Sequence, residues 1–254
     1  MDGYAAEEGA RFFESLKRIS EKSGQAIPSH LSSHPDPGER EQNIPKMAAE
    51  WESKGYDMEK VDEDDFMKMI NGLMYGENPR EGFERDGMFY HPDMEFKFPV
   101  PDGFSVINQP SAVILVNETQ DAVVQFSLDN ENETPEASVK AFLSQEGVET
   151  LESDQGNVNG YANYTAEASV VTEDGTSLWV DISAIEFSGM IFRFLSYTTA
   201  DKTNEYRGAF NKVSSGFSKL TDSSILSIQP VRLQVTKTQR SGSFSSFLPN
   251  PLPM

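Results

Sequence analysis

The spacing of hydrophobic residues changes once along the chain. Across the first ~80 residues, apolar side chains recur every three or four positions, which predicts amphipathic helices. The apolar stripe of the first helix consists of Phe12, Phe13, Leu16 and Ile19. A second helix is predicted from Asn43, which can cap it, to Lys54, with Pro45 tolerated in its first turn. A third helix is predicted after Asp62.

From Met88 onward, short apolar runs separated by turn residues predict β-strands. These runs cover residues 96–100, 104–107, 112–116, 123–128, 160–171, 177–187 and 190–197. One helix is predicted to begin at Thr134-Pro135 and to close at Gly147, and another carries Tyr206 and Phe217. The order of strands and helices predicts an α+β fold, with an N-terminal helical segment followed by an antiparallel sheet covered by helices.

Three regions follow from these patterns. Residues 1–80 are predicted to be helical, and residues 85–222 are predicted to form an α+β domain. Residues 223–254 are predicted to be an extended C-terminal segment and flexible tail, because the chain ends in the Ser- and Pro-rich run SGSFSSFLPNPLPM.

The amino-acid composition excludes several classes of binding partner and of functional site. The formal net charge of −20 repels phosphates, so we expect no nucleic acid partner and no anionic membrane surface. The absence of cysteine excludes disulfides, thiolate zinc sites and cysteine nucleophiles. No apolar run is long enough for a transmembrane segment, and the first residues have no signal-peptide pattern.

The three histidines are the first candidates for a catalytic or metal site. His30 and His34 are four residues apart, the spacing at which two histidines on one helical face bind zinc. Leu31 stands where zincins have the catalytic Glu, and prolines bracket the segment, so the pair does not predict a zincin site. His91 before Pro92 is predicted to be a structural histidine at a strand entry.

Other chemical motifs are weak. The acidic loop with Asp129, Glu131 and Glu133 lacks the glycine that a calcium-binding loop needs. No glycine-rich phosphate loop and no serine nucleophile elbow occurs. These residues therefore predict no nucleotide site and no serine hydrolase.

Longer segments resemble a known family. GARFFESLKRISEKSGQAIPSHLSSHPDPGER, followed by a helix and INGLMYGENPREGF, resembles the C-terminal part of a bacterial HExxH zinc metallopeptidase of the HtpX-like and BepA-like gluzincin family. The run FYHPDMEFKFPVPDGFSVINQPSAVILV resembles the accessory domain of the exported Zn-dependent protease subgroup, which is similar to PsbP-like α+β modules. The resemblance covers most of residues 3–235.

The resemblance implies a zinc site built from HExxH and a Glu on a later helix, and this sequence contains neither in the matched segment. By resemblance, His34 corresponds to a histidine that approaches the zinc, which implies a regulatory zinc ligand in the complete protein. Arg40 corresponds to the arginine that accompanies it. Zinc is thus implied for the complete family protein, and no cofactor is expected for this chain alone.

Two functional hypotheses follow. The first is a partial zinc-dependent metalloendopeptidase of envelope protein quality control, inactive alone without HExxH and the third-ligand Glu. The second is a non-catalytic α+β binding or assembly module of the bacterial envelope. The resemblance implies a periplasmic or envelope location, with unfolded or misassembled envelope proteins and an upstream catalytic half as partners.

Overall fold

The computed structural model describes residues 4–6, 8–23, 37–56, 60–238 and 241–243. Their contacts divide the chain into two compact units. One contains the described residues up to Leu73 and those from Arg232 onward, and the other is Met74–Val231. The predicted regions 1–80, 85–222 and 223–254 stay predictions. The contacts place the first boundary after residue 73, earlier than predicted, and the second after residue 231, later than predicted.

The first unit is helical, with α1 (Glu8–Ser23), α2 (Pro37–Ser53) and α3 (Glu63–Ile70). The predicted start of α2 at Asn43 is wrong, because the helix already begins at Pro37 and places Pro45 in its interior. Proline suits a first helical position, and Glu39 in the first turn interacts favourably with the helix dipole. These local preferences explain the earlier start, while Pro45 removes one main-chain hydrogen bond.

The described C-terminal residues belong to this first unit. The Gly72 amide donates to the Leu233 carbonyl at 2.8 Å, and the Leu233 amide donates to the Leu73 carbonyl at 2.8 Å. The Val235 amide donates to Asn71 Oδ1 at 2.9 Å. Hydrogen bonds therefore join Leu233 and Val235 to the residues that follow α3. Most of the tail predicted to be flexible lies outside the described residues.

The second unit contains two antiparallel sheets and three helices. The strands are β1 (Phe83–Arg85), β2 (Met88–His91), β3 (Phe96–Pro99), β4 (Phe104–Gln109), β5 (Ala112–Asn117), β6 (Ala122–Asp129), β7 (Val148–Val158), β8 (Tyr161–Val171), β9 (Ser177–Phe187), β10 (Met190–Thr199) and β11 (Ser218–Lys219). The helices are α4 (Pro135–Leu143), α5 (Thr203–Ser215) and α6 (Ser223–Leu226). Short 3-10 helices cover Pro79–Glu81 and Ala200–Lys202.

The strand pairing confirms the predicted α+β class. The small sheet has the order β1-β2-β3-β11, and the large sheet has the order β4-β5-β6-β10-β9-β8-β7. Every neighbouring pair is antiparallel. Helices cover the sheet as predicted, since α5 packs against β9 and β10 and α4 packs against β7 to β10.

Two hydrophobic clusters hold the layers together. The larger one joins the small sheet, the large sheet and α5, and its fully buried rings are Phe89, Phe96, Phe98, Phe187, Phe192, Phe194, Phe210 and Phe217. The smaller one lies under α4, where Val139 packs with Ala166, Ile182, Ala184 and Ile191. The strands alternate between these clusters because successive side chains point to opposite faces of a sheet.

The start of α4 agrees with the sequence prediction. Thr134 Oγ1 accepts a hydrogen bond from the Ala137 amide at 3.1 Å, and Pro135 occupies the first helical position. This cap satisfies an amide that has no partner within the helix. In contrast, the sequence pattern does not predict β7, because its central nine residues are exposed and carry no apolar alternation.

Gly208 within α5 and Gly216 at the C-terminal cap of α5 should respond oppositely to replacement by alanine. A Cβ at Gly208 meets nothing within 4 Å, whereas a Cβ at Gly216 would lie 2.5 Å from Pro99 Cγ and 2.8 Å from the Lys212 carbonyl oxygen. We expect Gly208→Ala to raise the free energy of unfolding by about 0.5–1 kcal/mol. We expect Gly216→Ala to lower it by about 1–3 kcal/mol through overpacking. Urea denaturation measures both, and equal effects would contradict the packing described here.

The second unit should fold by itself, because both hydrophobic clusters lie within it. We expect a fragment of residues 74–231 to show one cooperative thermal transition by circular dichroism. A fragment of residues 74–216 is the matched control, since it lacks the fully buried side chains of Phe217 and Leu220. Cooperative unfolding of both fragments, or of neither, would contradict this assignment of the core.

Candidate functional site

The second unit contains a cleft with a volume of about 520 Å³ at one end of the large sheet. The β4–β5 hairpin turns at Pro110-Ser111, whereas β6 continues to Asp129. The register pairs Val113 of β5 with Phe126, so the last residues of β6 run past the end of β5. The cleft occupies the space that this difference in strand length leaves.

The floor of the cleft is apolar. Phe96, Phe126 and Phe192 contribute to it, with ring centroids 5.1–5.4 Å apart. Val113 and Met94 extend the same surface. These rings belong to the large hydrophobic cluster and are almost fully buried, so they form a rigid base.

One wall is the segment around Gly82. Asn108 Nδ2 donates to the Glu81 carbonyl at 3.2 Å and to the Gly82 carbonyl at 3.1 Å, which ties this segment to β4. Gly82 has φ 118°, and a Cβ there would lie 2.5 Å from Phe89 Cζ. A side chain at this position is therefore excluded by backbone conformation and by space.

His91 lies at the cleft and is half-buried. Its Nδ1 accepts a hydrogen bond from the Met94 amide at 3.2 Å, so the proton of the neutral ring is on Nε2. Burial lowers the pKa of His91 below its usual range, and the carboxylates of Asp93 and Glu81 oppose that shift. The imidazole is thus a neutral hydrogen-bond donor near pH 7. It ends strand β2, whereas the sequence predicted a strand entry.

Several residues of the run GENPREGF have structural roles here. Asn78 Oδ1 accepts from the Arg80 amide at 3.2 Å and caps the short 3-10 helix. The Arg80 guanidinium donates to the carbonyls of Leu226 at 3.0 Å and Ile228 at 3.2 Å. It also pairs with Asp93 at 2.5 Å. These contacts give Asn78 and Arg80 structural roles in the second unit.

The predicted zinc-related residues are only partly described. His30 and His34 lie outside the described residues, so the role of His34 stays a prediction. Arg40 is on α2, where its guanidinium carbon lies 5.3 Å from the centroid of the Phe13 ring of α1. This cation–π contact joins two helices of the first unit.

The carboxylate of Asp129, where the acidic loop after β6 begins, accepts hydrogen bonds from nearby groups of the same chain. Asp129 accepts hydrogen bonds from the Glu131 amide at 3.0 Å, the Asn132 amide at 3.2 Å and Ser138 Oγ at 2.5 Å. Burial opposes the ionised form of Asp129, but these hydrogen bonds together outweigh it and lower the pKa of Asp129. Asp129 therefore shapes the connection from β6 to α4.

Asp181 is a second polar feature, separate from the cleft. Its side chain is 7% exposed on β9, directly opposite Glu167 of β8. Glu167 accepts from Trp179 Nε1 at 3.1 Å and forms an ion pair with Arg207. The Arg207 guanidinium carbon also lies 4.7 Å from the Trp179 ring. Burial and the charge of Glu167 raise the pKa of Asp181 to about 6, while Arg207 opposes the rise.

Comparison with known proteins gives likeness to solved structures only. No family model matches the chain, and no curated protein matches it. Cyanobacterial PsbP (CyanoP) from Synechocystis sp. PCC 6803 is 16% identical, over 52% of this chain and 91% of that chain, with a TM-score of 0.41.

Two further structures have similar scores. LpqN, involved in cell envelope biogenesis of Mycobacterium tuberculosis, is 12% identical over 50% of this chain and 83% of that chain, with a TM-score of 0.41. The Saccharomyces cerevisiae Ran-binding protein Mog1p is 12% identical over 60% of this chain and 99% of that chain, with a TM-score of 0.37. These similarities assign no function to this chain.

The predicted membership of the HtpX-like and BepA-like metallopeptidase family is wrong. No model of that family or of any other family matches the chain. The described residues also contain no group of three or more His, Asp or Glu side chains that could hold a metal ion. The predictions that this chain is a truncated metallopeptidase and that its function is zinc-dependent proteolysis are therefore wrong. None of the described helices is long and apolar enough to cross a membrane.

Replacing Asp181 should change how stability depends on pH. The raised pKa means that the folded state disfavours the ionised form, and this cost is fully present above pH 6 and disappears toward pH 4. We expect Asp181→Asn to raise the free energy of unfolding by roughly 2–3 kcal/mol at pH 8 and by little at pH 4. Asp154→Asn, on the exposed strand β7, is the control. A gain for Asp181→Asn that does not vary with pH would contradict the electrostatic cause.

Proposed function

We propose that residues 74–231 act as a non-catalytic binding module that accepts an exposed apolar segment of another polypeptide. The supporting observation is that an apolar floor and an unpaired strand end occur in the same cleft. A volume of about 520 Å³ accommodates a large side chain with part of its backbone.

The strand end favours a polypeptide over a small molecule. Ser127, Leu128 and Asp129 of β6 pair with β10 on one side. On the other side, no described strand pairs with them beyond Phe126. An extended peptide that adds to a sheet edge forms main-chain hydrogen bonds and places alternate side chains in a neighbouring pocket. The floor beside Leu128 is suited to receive one such side chain.

The proposed partners are unfolded or misassembled envelope proteins, which expose apolar side chains in extended segments. A location in the periplasm or cell envelope is part of the proposal. Fractionation of cells that express the full-length protein from its own gene tests the location. Recovery in the cytoplasmic fraction alone would contradict it.

Two methionines give a matched test of the cleft. Met94 and Met190 are both partly buried against the large hydrophobic cluster, but only Met94 lines the cleft. We expect Met94→Gln to weaken binding of a fluorescent peptide with a central Leu in an uncharged polar context by about tenfold, because it places an amide on the apolar floor. Met190→Gln should leave the affinity unchanged. Fluorescence anisotropy with the full chain measures both.

The same assay separates strand addition from simple capture of a side chain. A peptide with an N-methyl group on the residue after Leu keeps the side chain but loses one main-chain donor. We expect it to bind more weakly if its backbone pairs with β6. Equal affinity would restrict the interaction to the side chain. Absence of binding by every peptide, or an equal loss in Met190→Gln, would contradict the proposed function.

A further inference from the structure

We infer that the ligand of this cleft carries a positive charge next to its apolar group, as in a polypeptide segment where Lys or Arg adjoins an apolar residue. This inference rests on the proposed function and specifies the partner. It depends on the two carboxylates at the cleft, Glu77 and Glu81, which are both exposed.

Neither carboxylate has a cationic partner among the described residues. Glu81 Oε1 accepts from Asn78 Nδ2 at 2.8 Å, and this bond fixes the carboxylate while leaving its other oxygen for a ligand. Glu77 has neither a hydrogen bond nor an ion pair to any side chain that the structure describes. A cation at the cleft is attracted to both carboxylates.

The nearby basic groups do not neutralise these carboxylates. No Lys or Arg is among the described residues that line the cleft. Arg80, which lies between Glu77 and Glu81 in the sequence, is occupied by Asp93 and by the carbonyls of Leu226 and Ile228. His91 is neutral near pH 7 because burial lowers its pKa. The opening therefore keeps a net negative charge, which repels phosphates and acidic peptides.

The arrangement of apolar and acidic surfaces matches the shape of a basic side chain. Lys and Arg bury their aliphatic stems along apolar surface while the charged head stays near water. In the cleft, Phe126 and Val113 form the apolar floor, and the carboxylates lie at the solvent side. An apolar residue of the partner occupies the floor, and its basic neighbour meets Glu77 and Glu81.

Citrulline provides a sharp test, because it keeps the shape of arginine without its charge. The test compares the affinities of two otherwise identical peptides, one with Leu-Arg and one with Leu-citrulline. Fluorescence anisotropy with the full chain measures both affinities. We expect the arginine peptide to bind about five- to tenfold more tightly at low salt. The difference should shrink as salt screens the exposed carboxylates.

Variants assign the preference to the cleft. Glu77→Gln and Glu81→Gln should each reduce the arginine preference, and the double variant should abolish it. Glu146→Gln is the control, because Glu146 is exposed after α4 and does not line the cleft. It should keep the full preference. Glu146→Gln should also bind the citrulline peptide with the affinity of the unaltered protein.

The outcomes separate the two proposals. Equal binding of the arginine and citrulline peptides would overturn the inference and leave the proposed function standing. An equal loss of preference in Glu146→Gln would also overturn it, since the overall charge of the chain would then be the cause. Failure of both peptides to bind the unaltered protein would overturn the proposed function itself.

Discussion

The packing of phenylalanine rings between the two sheets and α5 is the interaction on which the second unit depends. Phe96 of the small sheet lies 5.1 Å from Phe126, 5.3 Å from Phe192 and 5.5 Å from Phe217, measured between ring centroids. Each buried ring contributes about 2–3 kcal/mol, more than a typical single hydrogen bond. The rings set the spacing of the layers, and Gly216 is required where α5 ends against Pro99.

The candidate site follows from the same packing. Three of these rings form the floor of the cleft, and the cleft exists because the β4–β5 hairpin ends before β6 does. A floor made of core residues changes little on binding, so less conformational entropy is lost when a ligand enters. The polar side chains at the cleft are held by hydrogen bonds: Asn108 donates to the Gly82 carbonyl, His91 accepts from the Met94 amide, and Glu81 accepts from Asn78.

The wrong family prediction has a physical explanation in the segment from Asn78 to Gly82. Its residues cap a short helix, bind two distant carbonyls and permit a positive φ beside Phe89. Such requirements restrict a sequence strongly, so a short run looks specific even when its purpose is structural. The resemblance of this run to the metallopeptidase family is therefore no evidence for a zinc site.

The sequence by itself determined the fold class, the strands of the large sheet other than β7 and the start of α4, because burial and capping leave local patterns. It did not determine β7, whose exposed residues show no alternation, or the start of α2 at Pro37. Only the tertiary structure decided the cleft. Met94, Asn108 and Ser127 come from separate elements, and their meeting depends on sheet order and on the unequal lengths of β5 and β6. The raised pKa of Asp181 likewise depends on burial and on Glu167 in a neighbouring strand, which no local spacing reveals.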